Sequence, residues 1–261
     1  MSVITPNRLK QLLQTGESAV GLLVVELRQP SVMQVLANAG FQFVLIDGEH
    51  GAYSLETIAD LSRAARQVEL TPIVRVPDIN YVYIAQALDV GAQGIMVPRI
   101  THAEQVKEIV RLMKYPPDGI RGNAQGVGYT RFNSGPVEEV MARVNQETML
   151  VVQIETRESL ENIEDIVRVS GVDVALIGPN DLSISLGIPG QIDAPLMREE
   201  MQKVIDACQK YGVYPAIHIN KLDIATYWAQ QGMRMISSNN ELTLMTRAGL
   251  EVTQTIRSAF Q

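Results

Sequence analysis

A single cysteine, Cys208, is all the thiol chemistry this chain possesses, so an intrachain disulfide is excluded and a reducing, cytoplasmic setting is expected. Long apolar stretches are missing too. No run approaches the roughly 18 uninterrupted apolar residues of a membrane helix, and the opening MSVITPNRLKQLL lacks the apolar core of a secretory signal. No membrane partner is therefore expected. Positive charge is the minority sign, with 22 Lys and Arg against 29 Asp and Glu for a net charge of −7. No basic run or aromatic-interleaved patch offers itself to a phosphate backbone, so nucleic acid is not an expected partner.

What is present is length and rhythm. The 261 residues suffice for a full core, and an α/β barrel commonly reaches that size as one unit, so a single domain over 1–261 is expected. Short apolar, β-rich runs recur at 21–27, 43–47, 71–76, 94–99, 149–155, 174–177, 214–219 and 233–237. Most are continuous rather than alternating, as in parallel strands covered on both faces. Helical periodicity fills the gaps at 31–39, 55–67, 81–90, 103–113, 159–169, 197–211, 221–231 and 242–257. Eight right-handed strand–helix units close most simply into a (β/α)8 barrel of the TIM type. The stretch 115–136, with Pro116-Pro117 and several glycines, is long for a connection inside a compact domain and marks a functional loop.

Active sites of such barrels sit at the C-terminal ends of the strands. The polar residues that end each run are therefore the candidates: Asp47-Gly48-Glu49-His50, Arg75, Arg99, Gln153 with Glu155, and Gly178-Pro-Asn180-Asp181. Each has a plainer reading as well. Glu155 can cap the next helix or pair with Arg157, Asp181 can start a helix, His50 can be structural, and Arg75 can form a rim salt bridge. Their joint occurrence shifts the balance toward chemistry. His102 and His218 take the plain reading, because neither has a strand-end carboxylate near it in sequence.

The set makes chemical sense together. Two carboxylates, Glu155 and Asp181, leave a hard divalent cation undercoordinated, so that water and a chelating 2-oxo acid complete its shell and the ion stabilises an enolate. Arg75 opposite the ion would hold negative charge on the enolate or a carbonyl oxygen. His50, three residues after Asp47, would be oriented by that carboxylate and act as general base. Backbone N–H groups around Gly178–Asp181 would receive a substrate carboxylate. None of the six lysines falls inside a strand as a Schiff-base lysine should, and Cys208 has no histidine beside it.

These residues lie in fragments that resemble the HpcH/HpaI aldolase family, metal-dependent class II pyruvate aldolases that include the 4-hydroxy-2-oxoheptanedioate aldolases. The resemblance spans most of the chain. FVLIDGEHGAYS at 43–54, PIVRVP at 72–77, ALDVGAQGIMVPRI at 87–100, YPPDGIRG at 115–122, QIET at 153–156 and ALIGPNDLSISLGIPG at 175–190 carry it. It implies a (β/α)8 barrel assembled as a homo-hexamer whose dimers exchange the C-terminal helix, and a cation such as Mg²⁺, Mn²⁺ or Co²⁺. It makes Glu155 and Asp181 the metal ligands, His50 with Asp47 the acid/base dyad, and Arg75 the residue steadying enolate and carbonyl. Gln153 and the backbone at Asn180 and Asp181 would contact pyruvate, with Glu49 and Asp89 supporting.

The departures from the heptanedioate enzymes fall at 123–132 and at Ser237-Ser-Asn-Asn240. The glycine-rich loop is expected to overhang the mouth of its own barrel or a neighbour's, with Arg121, Tyr129 and Arg131 as its polar contacts to the aldehyde. The expected activity is a carbon–carbon lyase that reversibly cleaves a 4-hydroxy-2-oxo acid to pyruvate and an aldehyde. The same enolate site also suits oxaloacetate decarboxylation, a malyl-CoA-type lyase or a macrophomate synthase, and a non-catalytic oxo-acid-binding barrel is the reading from another class.

Overall fold

A computed structural model describes residues 3–260; residues 1, 2 and 261 of the expected domain lie outside the described residues. Eight strands pair in sequence order, all parallel, and close on themselves: β1 (Ala19–Val24), β2 (Phe43–Asp47), β3 (Thr71–Arg75), β4 (Gly94–Val97), β5 (Met149–Ile154), β6 (Val174–Ile177), β7 (Tyr214–His218) and β8 (Met235–Asn240). Around them run α1 (Arg8–Gln14), α2 (Ser31–Asn38), α3 (Leu55–Gln67), α4 (Tyr81–Val90), α5 (Ala103–Met113), α6 (Val137–Glu147), α7 (Arg157–Glu161), α8 (Ile163–Val167), α9 (Pro179–Ser185), α10 (Pro195–Tyr211), α11 (Leu222–Gln230) and α12 (Glu241–Ser258). The expected (β/α)8 barrel is the fold observed.

Strand alternation divides the core. Val44, Ile46, Val74, Leu150 and Val152 face outward into the shell of helices, while Phe43, Leu45, Ile73, Met149 and Val151 fill the barrel together with Leu9 and Leu13 of α1. Both faces are buried, which is why the runs read as continuous apolar stretches. The short helix α1, not anticipated from the sequence, contributes two leucines to the interior cluster. Gly21 makes room for the Phe43 ring opposite it, since a Cβ there would lie 2.4 Å from that ring.

Several expected boundaries moved, each for a hydrogen-bonding reason. The first strand stops at Val24 rather than residue 27, because the N–H groups of Val25, Glu26 and Leu27 turn to the buried carboxylate of Glu241. The fourth stops at Val97 because Pro98 has no N–H and that of Arg99 leaves the ladder for Glu155. The helix expected at 159–169 breaks at Asn162, whose side chain donates to the carbonyl of Thr101 at 2.9 Å. Helices α6 and α9 were likewise not foreseen. Gly91 and Gly212 close α4 and α10 at φ 128° and 72°, as C-cap glycines should.

Candidate active site

The barrel's inward face continues past its apolar layers with a period of two. Beyond Leu45 comes Asp47, beyond Ile73 comes Arg75, beyond Val151 comes Gln153, beyond Ala216 comes His218, and beyond Met235 comes Ser237. Alternation alone thus delivers a ring of polar side chains to one mouth. A cavity of about 200 Å³ opens there, lined by Leu23, Leu45, Met96 and Leu176 below and by His50, Arg75, Gln153, Gly178, Pro179, Asn180, Asp181 and His218.

Asp47 and Arg75 are cross-strand neighbours in the β2–β3 register. The Arg75 guanidinium donates to Asp47 through Nε at 2.9 Å and through Nη2 at 2.6 Å, a bidentate pair buried on both sides. Glu49 completes the clamp, its Oε2 3.2 Å from Arg75 Nη1. Burial would push the Asp47 carboxyl up, but the Arg75 bonds and charge, with N–H groups of His50 and Glu49, hold it below the usual range. Arg75 is the mirror case: burial disfavours its charge, and Asp47, Glu49 and Glu155 outweigh that.

His50 meets Asp47 differently from the expected dyad. Its backbone N–H, not its ring, donates to Asp47 Oδ1 at 3.2 Å, and its side chain is 70% exposed with Nε2 3.9 Å from Glu49 Oε2. The Asp47 carboxylate is occupied by Arg75, so in this arrangement it orients the guanidinium rather than the imidazole.

Glu155, two residues beyond Gln153, is buried at the same rim. Its Oε1 accepts from the N–H of Arg99 at 2.7 Å and its Oε2 accepts from the Gln153 amide. Burial raises its pKa, the Arg99 N–H opposes that, and the negative charges of Asp181 and Glu49 raise it further. Gly178 sits against this pair so closely that a Cβ would lie 3.0 Å from Gln153 Nε2 and 3.1 Å from Glu155 Oε2. Asp181 stands exposed in the first turn of α9, so it is both a helix-start residue and a cavity-lining carboxylate. The N–H groups of Asn180 and Asp181 have no acceptor within that helix.

The donor set suits a hard cation. Among the described residues no group of three or more His, Cys, Asp or Glu side chains is arranged to hold a metal ion. An ion here would rest on two mutually repelling carboxylates, beside a buried Gln153 Oε1 that has no hydrogen-bond partner. Two carboxylates with the remaining positions open fit Mg²⁺, Mn²⁺ or Co²⁺.

Two residues fall elsewhere than expected, one out of the site and one into it. Arg121 is fully buried, paired with Asp89 of α4 at 2.5 Å and set over the Tyr115 and Tyr129 rings at 4.8 and 5.0 Å, and it does not line the mouth cavity. The loop around it runs along α4, with the Gly122 N–H on the Tyr81 hydroxyl and Gly128 packed under the Val90 carbonyl, so it does not overhang its own barrel mouth. His218, given the plain reading, lines the cavity instead. Its Nδ1 is 2.8 Å from Ser237 Oγ, and burial with the nearby Arg75 charge presses its pKa down to about 4, against a smaller opposing effect of Asp47. The signal that could have found it is the one used for the others, the polar residue ending an apolar run.

The model of the HpcH/HpaI aldolase/citrate lyase family matches residues 21–248. A 4-hydroxy-2-oxo-heptane-1,7-dioate aldolase of Escherichia coli is 33% identical over 93% of this chain and 92% of its own length. A hydroxypyruvate/pyruvate aldolase of Roseobacter denitrificans is also 33% identical, over 94% of this chain and 95% of that protein. Among solved structures, an HpcH/HpaI aldolase from Desulfitobacterium hafniense superposes with a TM-score of 0.91 at 31% identity, covering 95% of this chain and 96% of that one.

Proposed function

From a chain that belongs to the HpcH/HpaI aldolase/citrate lyase family and is a carbon–carbon lyase, we propose an aldolase that reversibly cleaves a 4-hydroxy-2-oxo acid to pyruvate and an aldehyde with the help of a divalent cation. The observation that carries this reading is the convergence of Glu155, Asp181, Arg75 and His50 on one barrel mouth. Glu155 and Asp181 would hold Mg²⁺, Mn²⁺ or Co²⁺, and a bound cation supplies Lewis-acid stabilisation of charge on the oxo acid.

The chain's own residues account for the rest. Arg75, fixed along its edges by Asp47 and Glu49, presents a planar cation to the substrate oxygens on which charge develops. His50 takes the proton of the C4 hydroxyl as the C3–C4 bond breaks and the aldehyde leaves; the electron pair remains with the three-carbon fragment, and a proton delivered to C3 completes pyruvate. Gln153 and the first-turn N–H groups of Asn180 and Asp181 orient the carboxylate end. The apolar floor of Leu45, Met96 and Leu176 keeps water from below.

Exchange of α12 between subunits of a hexamer belongs to the same proposal. Among α12 residues only Glu241 is buried, while Met245, Leu250, Val252 and Ile256 are exposed. A subunit contact is the cover proposed for that apolar surface; no helix among the described residues is long and apolar enough to cross a membrane.

Pyruvate release across a panel of 4-hydroxy-2-oxo acids, with and without chelator, tests the function. Activity is expected to vanish on metal removal, return with Mg²⁺ or Mn²⁺, and be nearly abolished in a folded Glu155→Gln or Asp181→Asn protein. Full turnover in a sample shown metal-free by elemental analysis would refute the cation's role.

A further inference from the structure

Arg99 lies where β4 has ended and carries a positive φ of 55°, a backbone conformation that long side chains adopt rarely. In that conformation its N–H points to Glu155 Oε1 at 2.7 Å. The side chain reaches the other way, with one guanidinium nitrogen 2.5 Å from Glu49 Oε1 and the other donating to the Pro77 carbonyl at 2.8 Å. The Glu49 side chain is only 7% exposed and spends its second oxygen on Arg75 Nη1, at 3.2 Å. One residue therefore touches both halves of the site: a carboxylate through its backbone, and the guanidinium through Glu49.

Resting on the reading above, we propose that Arg99 is a positioning residue with two separable tasks. Its left-handed backbone aims an N–H that fixes Glu155 for cation binding, and its guanidinium holds Glu49 against Arg75 so that the Arg75 fork faces the substrate. The Arg99 side chain is 60% exposed although that of Glu49 is only 7% exposed, so solvent screens its charge and its contribution is mainly geometric. The two tasks respond to different substitutions. Glycine adopts positive φ without steric cost, so Arg99→Gly keeps the backbone task and loses the side-chain one. Valine resists positive φ, so Arg99→Val loses both. Lysine keeps a charge without the fork.

The test is Mn²⁺ titration of the metal-stripped full-length protein, followed by pyruvate α-proton exchange in D₂O on the reloaded enzyme. Arg99→Gly should bind Mn²⁺ within about 3-fold of the wild type, while Arg99→Val binds roughly 10-fold more weakly, the scale of a left-handed penalty for a substituted residue. Proton exchange should fall roughly 10-fold in Arg99→Gly and recover in part in Arg99→Lys. Should the valine protein unfold, Arg99→Asn against Arg99→Ala gives the same contrast, since asparagine tolerates positive φ. Equal Mn²⁺ affinity in the tolerant and intolerant variants, or undiminished exchange in Arg99→Gly, overturns the inference while leaving the aldolase reading in place. A wild type whose Mn²⁺ binding is absent or indifferent to Glu155→Gln overturns the reading itself, and the inference with it.

Discussion

Asp47 accepts four hydrogen bonds, two from the Arg75 guanidinium and one each from the N–H groups of Glu49 and His50. A carboxylate so engaged has little left for an imidazole. The consequence can be measured by comparing two reactions. His50→Ala is expected to slow aldol cleavage by roughly the 10²–10⁴-fold of a lost general base, and to slow oxaloacetate decarboxylation much less, because that reaction needs no hydroxyl proton removed. Asp47→Asn, acting through Arg75, should depress both reactions together. If the Asp47 and His50 variants show the same selective loss, the two work as a dyad after all and the Arg75 clamp is incidental. In sequence, Asp47, Arg75, Gln153 and Glu155 were legible because each ends an apolar run. His218 ends one too, but nothing beside it in sequence announces the Arg75, Asp47 and Ser237 side chains that surround it in space.

Elements here begin and end where a backbone N–H finds a better partner than the ladder. Glu241, at the start of α12, gathers three consecutive N–H groups of the β1–α2 connection, and no local pattern in residues 21–27 announces an acceptor more than 200 positions away. Packing inside the strands is equally specific. Gly21 faces the Phe43 ring across the β1–β2 register, and an added Cβ would stand 2.4 Å from it. Gly21→Ala should therefore overpack the barrel floor and cost about 1–3 kcal/mol, read as a lower urea midpoint with an unchanged m value. Phe43→Leu in the same chain should restore part of that loss, and strictly additive effects of the two changes would show that the ring is not what alanine meets. The loop 115–136 teaches the same lesson. Its glycines and double proline mark it as a loop, but α4 decides that it lies along the outer wall: Asp89 takes Arg121, and the Val90 carbonyl leaves room only for glycine at 128.

At the scale of the molecule, the barrel closes within one chain, while α12 leaves an apolar surface exposed. Its exposed Leu242, Met245, Leu250 and Ile256 are stable in water only at the cost that a neighbouring subunit would remove. On the proposed subunit contact through α12, truncation after residue 247 is expected to lower the sedimentation coefficient relative to the full-length protein, with far-ultraviolet dichroism per residue otherwise little changed. A full-length protein that sediments as a monomer, or a truncated one that sediments as the same oligomer, would overturn the proposed role of α12. What the sequence determined by itself was the count and order of eight strands, the parallel barrel and the strand-end positions of Asp47, Arg75, Gln153 and Glu155, because a period of two and a C-terminal rim follow from local covalent geometry. Tertiary structure alone decided which carboxylate serves which cation. Asp47 to Arg75, Glu49 to Arg99 and Asp89 to Arg121 are pairings across strands and helices, fixed by distances that closing the barrel creates and that spacing along the chain does not encode.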